Sequence, residues 1–368
     1  MEYAFEERCA LAHKVHECDI VSTLSNYFSL LYCELKIRRR IEELIALFFI
    51  LVLVLCLMVL ISNVVDSHFS PMLKIIAMKM GMSQYIAGTT LVALGNTLPE
   101  ALANMMPVRS EAPMYSISIS NSLTLILVGG GVICYLKPFK MNPHSTMRDL
   151  LYLILSCEVL TFLLLRPKTI TPRDGIFPLA IIVFVHSRTD IPPVYHSMFL
   201  GLNAGGCLLI MGICAAELEI LCCIAGLIVY LSEGFVAVTF RSMAGSIDDT
   251  IVVVSLALEG YEQLALGAIL GAPIFNILVS MGLAILLQET VRHGTAWFLI
   301  GKHGMNCYIF LNVAVISMLF WTLTFNYIAR RSAGVFSFLL YLIFIIFAAC
   351  VEWNVVHEFS KDLHVDPK

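Results

Sequence analysis

The stretch SQYIAGTTLVALGNTLPE at residues 83–100 aligns without gaps with SEGFVAVTFRSMAGSIDD at residues 232–249, at an offset of 149 positions. Polar positions coincide in the two copies, among them Thr90 with Thr239, Thr97 with Ser246, and Glu100 with Asp249. A repeat of this kind indicates two copies of one structural unit. We therefore expect the two halves of the chain to share an architecture.

The composition places both halves in a lipid bilayer. Of the 368 residues, 59% are hydrophobic and only 14% are charged, and the mean hydropathy is +0.87. Soluble globular domains contain about 45–50% apolar residues. The formal net charge is -4, and no block of basic residues is long enough to indicate a nucleic-acid-binding surface. The composition therefore predicts a membrane protein and excludes nucleic acid as its main partner.

Ten apolar segments are long enough to cross a bilayer, which needs roughly 20 residues per helix. We place them at residues 44–62, 84–107, 113–136, 148–165, 175–187, 198–220, 233–258, 264–288, 307–326 and 334–352. Five crossings fall in each half, so equivalent points of the two copies must have opposite orientation. We expect an all-α polytopic membrane protein of two inverted five-helix repeats.

The spans also divide the chain into regions. A polar tail at residues 1–43 precedes a first membrane region at 44–187, and a short loop at 188–197 leads to a second membrane region at 198–352 and a tail at 353–368. The repeats themselves occupy 84–136 and 233–288. The acidic N-terminal tail lacks an apolar signal stretch, so we expect no removable targeting segment. Its cysteines can pair in an oxidising compartment, and they are Cys9, Cys18 and Cys33.

Carboxylates inside apolar spans are the main functional candidates, since each costs roughly 2.5 to 3.5 kcal/mol on insertion scales. Glu100 and Asp249 occupy equivalent positions in the two copies. Helical spacing places further oxygen-bearing side chains beside them or on the partner spans, and these are Asn96, Thr97, Ser246, Asn121, Thr124 and Asn276. Such hard oxygens suit Ca²⁺, whereas no His or Cys lies near enough in the motif to indicate zinc.

Glycine and proline interrupt these spans and predict broken helices whose backbone carbonyls can bind cations. The predicted breakers are Gly95, Pro99, Gly245, Gly271 and Pro273. The alternative for all the polar residues is that they only bond neighbouring helices together.

Arg241 and Asp248 interrupt the symmetry, because the first copy has Val92 and Pro99 at those positions. Their spacing of seven residues predicts one helix face, with the two side chains two turns apart. One interpretation is a buried ion pair. The other is that Arg241 approaches the site and replaces one transported cation with a fixed charge. Glu217, which we place at the end of the sixth span, is interpreted as structural.

At these residues the sequence resembles the cation/Ca²⁺ antiporter superfamily, whose two inverted repeats carry a G-[TN]-[ST]-x-[PG]-[DE] core. Residues 95–100, GNTLPE, fit it fully. The sequence is most similar to the cation/calcium exchanger branch, which includes mitochondrial sodium/calcium exchangers that also pass lithium. Supporting stretches are Lys137-Pro138-Phe139, Met147-Arg148-Asp149, Ala215-Ala216-Glu217 and residues 274–279. The second copy differs, with Ala244-Gly245 and Asp248 inside its core motif.

The resemblance implies a secondary antiporter that exchanges Ca²⁺ for Na⁺, or for Li⁺ or H⁺, without a cofactor and by alternating access. It implies that Glu100 and Asp249 are acidic Ca²⁺ ligands, while Asn96, Thr97, Ser246 and Asn276 add oxygens. It favours the mitochondrial inner membrane, with the plasma membrane or another endomembrane as the rival. Two other functions stay open: a non-transporting paralogue that modulates a partner, and an intramembrane aspartyl protease with paired acids.

Overall fold

The computed structural model describes residues 9, 27–64, 70–104, 114–164, 197–287, 300–357 and 359. These ranges are almost entirely helical, and within them the only β-structure is an isolated bridge between Lys140 and Ile328. The first half consists of α1 (Arg40–Val64), α2 (Ser70–Lys79), α3 (residues 84–104), α4 (Met114–Leu136) and α5 (Pro143–Leu164).

The second half contains five long helices, of which α7 and α8 are the copies of α3 and α4. It consists of α6 (Ser197–Ile228), α7 (residues 233–258), α8 (residues 262–287), α9 (Gly304–Thr324) and α10 (Arg331–Glu352). By length and composition alone, five of the described helices qualify as membrane spans: Arg40–Val64, Met114–Leu136, Glu262–Leu286, Gly304–Thr324 and Arg331–Glu352.

Nine of the ten predicted spans coincide with a described helix, and the fifth, at 175–187, lies outside the described residues together with most of the 188–197 loop. The structure adds one helix that was not predicted and moves one predicted helix end. The short helix α2 was not predicted, because its ten residues cannot cross a bilayer. Glu217 is not at a helix end: α6 continues to Ile228, and Glu217 is buried. Burial and the Glu217 carboxylate raise the pKa of its neighbour Tyr27 to about 12.

The repeat is visible in the backbone itself. Each of the four repeat helices contains one π-helical turn, and these turns are Gly88–Val92 in α3, Leu125–Gly129 in α4, Ala237–Arg241 in α7 and Asn276–Ser280 in α8. The turns in α3 and α7 are separated by the offset of the sequence repeat. Because π-turns are rare and concentrate at functional sites, their recurrence at equivalent positions supports two copies of one unit.

Most of the predicted helix breaks are absent from the described backbone. Helix α3 continues from Ala93 to Asn104 through Gly95 and Pro99, and α8 continues through Gly271 and Pro273. Gly271 is needed for close packing instead of for a break. Only α7 is broken, at Ser246 (φ -105°, ψ 2°), where one segment ends at Gly245 and the next begins at Ile247.

The two copies pack across each other. Helix α3 lies against α8, where a Cβ on Gly271 would be 2.6 Å from the carbonyl oxygen of Thr89. Helix α4 lies against α7, where the Ser120 hydroxyl donates to the Val238 carbonyl at 2.7 Å. Small residues at such crossings allow the backbones to approach. Each of these two contacts therefore joins one helix of the first copy to one helix of the second copy.

Loop contacts define two faces of the molecule. On the N-terminal face, the Arg40 guanidinium lies 4.3 Å from the Tyr230 ring centroid, and the Ser232 hydroxyl donates to Glu352 at 2.7 Å. On the opposite face, the ammonium of Lys137 pairs with Glu262 at 2.8 Å. The loops 137–142, 259–261 and 325–330 all lie on this opposite face, because the loops of α4–α5 and α9–α10 pair there.

Candidate cation site

The site residues are carried by all four repeat helices. A small apolar cluster joins α3, α4 and α8 at this level, and its members are Ala93, Leu125, Ala272 and Phe275. Ala93 is one turn before Thr97, Leu125 follows Thr124, and Phe275 precedes Asn276. Two hydrogen bonds complete the connections: Thr124 Oγ1 lies 3.2 Å from Ser242 Oγ of α7, and Ser118 Oγ donates to Asn276 Oδ1 at 3.2 Å.

The hydroxyls of Thr97 and Ser246 have the same environment in the two copies. Thr97 Oγ1 donates to the Ala93 carbonyl at 3.0 Å, and Ser246 Oγ donates to the Ser242 carbonyl at 2.9 Å. Both side chains are buried. A hydroxyl has one proton to donate and two lone pairs. Since the proton is directed back into the helix, the lone pairs of both oxygens are available to a cation.

Further pairs of equivalent bonds reinforce the symmetry. Thr90 Oγ1 donates to Ile86 O at 2.7 Å, and Thr239 Oγ1 donates to Phe235 O at 2.6 Å. The amide of Ile86 donates to Ser83 Oγ at 3.4 Å, and that of Phe235 donates to Ser232 Oγ at 3.2 Å. All these partners differ by the repeat offset. The aligned polar residues therefore perform the same local role in both copies.

Asn96 is a buried polar residue whose side-chain hydrogen-bonding capacity is unmet among the described residues. Its side chain is only 4% exposed, and neither Oδ1 nor Nδ2 has a hydrogen-bond partner among the described residues. An unsatisfied buried polar group costs about 1–3 kcal/mol. Such a carboxamide is expected where a ligand supplies the missing partner. In the second copy the equivalent residue is Gly245, which has no side chain to offer.

Asp248 and Asp249 lie in the first turn of the α7 segment Ile247–Leu258 and are buried. The amide of Asp249 donates to Asp248 Oδ1 at 2.9 Å. A helix N-terminus stabilises negative charge, and the break at Ser246 places both carboxylates at such an end. Glu100 belongs to the α3 segment Ala93–Asn104, but its side chain lies outside the part that the structure describes.

Arg241 and Asp248 lie on the two sides of the break in α7. Arg241 ends the π-turn Ala237–Arg241, and Asp248 follows the break at Ser246. The expected shared helix face of the two side chains stays a prediction. Asn121 and Thr124, by contrast, lie in one regular helical segment and are both buried.

Three polar residues near the site were not among the predicted ligands. Ser118 and Ser242 contact Asn276 and Thr124, and the hydroxyl of Tyr341 in α10 lies 3.4 Å from Thr124 Oγ1. The sequence does contain a signal for Ser118, because hydroxyl residues occupy alternate positions in α4, and such a pattern is unusual inside a membrane span. Among the described residues no group of three or more His, Cys, Asp or Glu side chains could hold a metal ion. Oxygens of hydroxyl and carboxamide groups thus dominate the described part of the site.

The fold and these positions together define a polytopic membrane protein of two inverted helical repeats, with polar oxygens where the copies meet. Comparison with known proteins identifies the class further. The profile described as sodium/calcium exchanger protein matches residues 43–186 and 198–350. The chain therefore belongs to the sodium/calcium exchanger family. Such exchangers are transporters rather than enzymes, which removes the support for an aspartyl protease.

Individual relatives agree with this assignment. The mitochondrial sodium/calcium exchanger protein of Gallus gallus is 32% identical over 204 residues, covering 50% of this chain and 33% of the relative. That of Homo sapiens is 29% identical over 188 residues, covering 49% and 31%. The matched part of the chain thus spans about a third of the length of these curated relatives.

A solved structure shares the fold. The sodium-calcium exchanger NCX_Mj, soaked with 2.5 mM Na⁺ and 10 mM Sr²⁺, superimposes with a TM-score of 0.62 at 17% identity, covering 80% of this chain and 97% of that one. The same protein soaked with 10 mM Na⁺ and 10 mM Sr²⁺ gives a TM-score of 0.63 at 18% identity, covering 81% and 98%. The all-α inverted-repeat fold predicted from the sequence is therefore confirmed.

Proposed function

We propose that this protein is a secondary antiporter that exchanges Ca²⁺ for Na⁺, with Li⁺ or H⁺ as alternative counter-ions, and that it needs no cofactor. Residues 44–187 and 198–352 would form its two exchanger regions. The acidic ligands would be Glu100 and Asp249. The further oxygens would come from Asn96, Thr97, Ser246 and Asn276, with Asn121 and Thr124 on the partner helix α4.

The observation that carries this proposal is the paired environment of Thr97 and Ser246 beside a buried, unsatisfied Asn96. Helix-bonding hydroxyls alone would not explain a carboxamide buried with both polar atoms unmet. A cation supplies a partner for its oxygen, and the same cation accepts the hydroxyl lone pairs. Oxygen ligands of this kind are what Ca²⁺ and Na⁺ bind.

The proposed carboxylates also explain why exchange would be coupled. Two negative charges in an apolar span are unfavourable without a counter-charge. The site would therefore change its exposure only when one Ca²⁺ or the replacing monovalent cations neutralise it. Because the repeats are inverted, the same set of helices can open toward either side. Binding and charge neutralisation then suffice to couple the two fluxes.

The membrane is proposed from the relatives and from one covalent feature. The chicken and human relatives are named as mitochondrial, and we propose the mitochondrial inner membrane, with the plasma membrane or another endomembrane as the rival. Cys9 and Cys33 form a disulfide that ties the start of the chain to the segment before α1. Disulfides persist in oxidising compartments. The N-terminal face would accordingly lie away from a reducing matrix or cytosol.

Reconstitution of the purified chain in liposomes tests the proposal. Ca²⁺ uptake is measured under an outward gradient of Na⁺, Li⁺, K⁺ or H⁺, and the gradient that drives uptake names the counter-ion. Glu100→Gln and Asp249→Asn should abolish uptake, because each removes one charge with little change of shape. Thr97→Val should lower it, whereas Thr97→Ser, which keeps the hydroxyl, should retain it.

A matched control is Glu158→Gln. Glu158 is an exposed carboxylate of α5, which is not one of the four repeat helices, and it accepts a hydrogen bond from Tyr308 of α9 at 2.6 Å. This variant should transport normally. Substantial Ca²⁺ uptake by Asp249→Asn would contradict the proposed site. If the folded wild-type protein showed no Ca²⁺ uptake under any gradient, the non-transporting paralogue would be favoured. The non-transporting paralogue is kept as a second candidate because of Gly245. Asn96 offers a side-chain oxygen in the first copy, whereas Gly245 at the equivalent position of the second copy offers none.

A further inference from the structure

The two copies of the repeat carry a side-chain oxygen at different members of one pair of positions. At the offset of 149 positions, Ala93 corresponds to Ser242, and Asn96 corresponds to Gly245. The first copy therefore has an apolar residue followed one turn later by a carboxamide. The second copy has a hydroxyl followed one turn later by a residue without a side chain. Each copy keeps one polar side chain in the pair.

Both pairs lie in helical segments. The first pair belongs to the segment Ala93–Asn104 of α3, and the second pair belongs to the segment Ser242–Gly245 of α7. Residues three positions apart are neighbours on a helix surface, and three residues span about 4.5 Å along the helix axis. The oxygen of the second copy is therefore displaced by less than one turn and stays on the same side of its helix.

Ser242 lies where the two copies meet. Its side chain is completely buried, and the segment Ser242–Gly245 packs against the segment Met114–Thr124 of α4. Ser242 Oγ lies 3.2 Å from Oγ1 of Thr124, one of the predicted ligands. The equivalent Ala93 belongs instead to the small apolar cluster of the site. The polarity of this position thus differs between the copies in the surroundings as well as in the sequence.

The Ser242 hydroxyl is directed across the interface between the copies and not along its own helix. Neighbouring hydroxyl residues of α7 donate to the carbonyl four residues earlier, and these are Thr239, Ser246 and Thr250. The carbonyl four residues before Ser242 is that of Val238, and it accepts from Ser120 of α4 at 2.7 Å. Among the described residues, the hydrogen-bond partner of the Ser242 hydroxyl is Thr124.

The proton in the contact between Ser242 and Thr124 belongs to Ser242. A hydroxyl has one proton to donate and two lone pairs. Thr124 Oγ1 donates to the Ser120 carbonyl at 2.9 Å, which is the shortest of its contacts. Ser242 is therefore the donor at 3.2 Å, and no described group donates to its oxygen. Both lone pairs of Ser242 Oγ are available to a cation.

We propose that the Ser242 hydroxyl is a ligand of the transported cation and replaces, in the second copy, the carboxamide that Asn96 supplies in the first. This inference rests on the proposed antiport function. A hydroxyl is a neutral oxygen ligand of the kind that hard cations such as Ca²⁺ and Na⁺ bind. With Ser242 included, the second copy has as many side-chain oxygens at this pair of positions as the first, and Gly245 does not leave it short.

Equilibrium binding of Ca²⁺ to the purified full-length chain in detergent tests the inference. Ser242→Ala should weaken Ca²⁺ binding about tenfold, which is the lower end of the loss expected when a group around a bound metal is removed. Adding Gly245→Asn to Ser242→Ala recreates the pattern of the first copy and should restore most of the lost affinity. The backbone at Gly245 is helical and has no positive φ, so it accepts a side chain.

Ser122→Ala is the matched control. It removes a similarly buried serine hydroxyl that donates within its own helix, to Ser118 O at 2.9 Å, and should bind Ca²⁺ as the wild type does. Ser242→Cys replaces Ser242→Ala if the latter does not fold, because it nearly keeps the side-chain volume while a soft sulfur atom suits Ca²⁺ poorly. The melting temperature without Ca²⁺ measures the loss of the bond to Thr124 separately from the loss of affinity.

The outcomes distinguish this inference from the proposed function. If the wild type binds Ca²⁺ and Ser242→Ala binds it equally tightly, Ser242 only bonds two helices together, so the inference is overturned and the proposed function stands. A loss of affinity that Gly245→Asn fails to restore in a folded double variant would also overturn it, because the hydroxyl would not then replace a carboxamide one turn away. If the wild type itself binds no Ca²⁺, the proposed function fails and the inference fails with it.

Discussion

The hydroxyl of Ser120 in the first repeat donates to the backbone carbonyl of Val238 in the second repeat at 2.7 Å. Val238 lies in the π-turn Ala237–Arg241, where the regular pattern of helical hydrogen bonds is disturbed. A side chain from the partner copy therefore satisfies a carbonyl of the distorted turn. This bond connects the two halves at the level of the candidate site, and both residues are completely buried.

Removing this bond should destabilise the protein modestly. Side-chain hydrogen bonds within membrane proteins average about 0.6 kcal/mol and reach about 1.7 kcal/mol. We expect Ser120→Ala to lower the free energy of unfolding by an amount in that range, measured by denaturant titration in detergent.

Ser122→Ala is the control, since Ser122 is equally buried but donates within its own helix to Ser118 O at 2.9 Å. Ser122→Ala should change the free energy of unfolding less than Ser120→Ala does, because the acceptor, the Ser118 carbonyl, belongs to the same regular helix. If the two substitutions lowered the free energy of unfolding equally, the hydrogen bond between the copies would contribute no more than one within a single helix.

Gly271 is required where α8 crosses α3. A Cβ there would lie 2.6 Å from the Thr89 carbonyl oxygen and 2.8 Å from the Ala93 Cβ. Because the nearest atoms belong to backbone and to a short side chain, no flexible group can move aside. We expect Gly271→Ala to destabilise by about 1–3 kcal/mol, the usual range for overpacking, and thermal unfolding in detergent measures this.

Gly206→Ala in α6 is the matched control, because a Cβ at Gly206 meets no atom within 4 Å. It should leave stability unchanged or raise it slightly through the better helix propensity of alanine. A Gly271→Ala variant as stable as Gly206→Ala would contradict the close crossing of the two copies.

His303 makes stability depend on pH at the N-terminal face. It is 1% exposed, and its Nε2 lies 3.8 Å from Glu352. Burial lowers the pKa of His303 from 6.5 to about 4, although the Glu352 carboxylate opposes this shift. The folded state therefore keeps the imidazole neutral while the unfolded state takes up a proton, so stability falls as the pH drops from about 6.5 to about 4.

His303→Gln should flatten this part of the profile of melting temperature against pH. His357→Gln is the comparison, because His357 is exposed and should leave the profile as it is. The same slope in wild type and His303→Gln would mean that other groups cause the acid sensitivity.

Periodicity and the internal repeat were sufficient to predict the helical, inverted architecture, because bilayer thickness fixes span length and an odd number of crossings fixes inversion. The π-turns could not be predicted. Gly95 and Pro273 suggested breaks, yet whether a helix breaks or widens by one residue depends on packing against the partner copy, as Ser120 on Val238 illustrates. Ser242 was missed for a similar reason, since its role depends on Thr124 in another helix.

Arg241 places a positive charge where the first copy has an apolar residue, and its effect on the ion dependence of transport can be measured directly. It ends a π-turn at the position where the first copy has Val92, and it is half-buried, five residues before Ser246. If its fixed charge substitutes for one transported cation, Arg241→Leu should change the number of monovalent ions exchanged per Ca²⁺. The reversal potential of Ca²⁺ flux in liposomes reports that number. Arg241→Lys keeps the charge and should keep the wild-type value, whereas an Arg241→Leu variant with unaltered stoichiometry would leave only a structural role for this arginine.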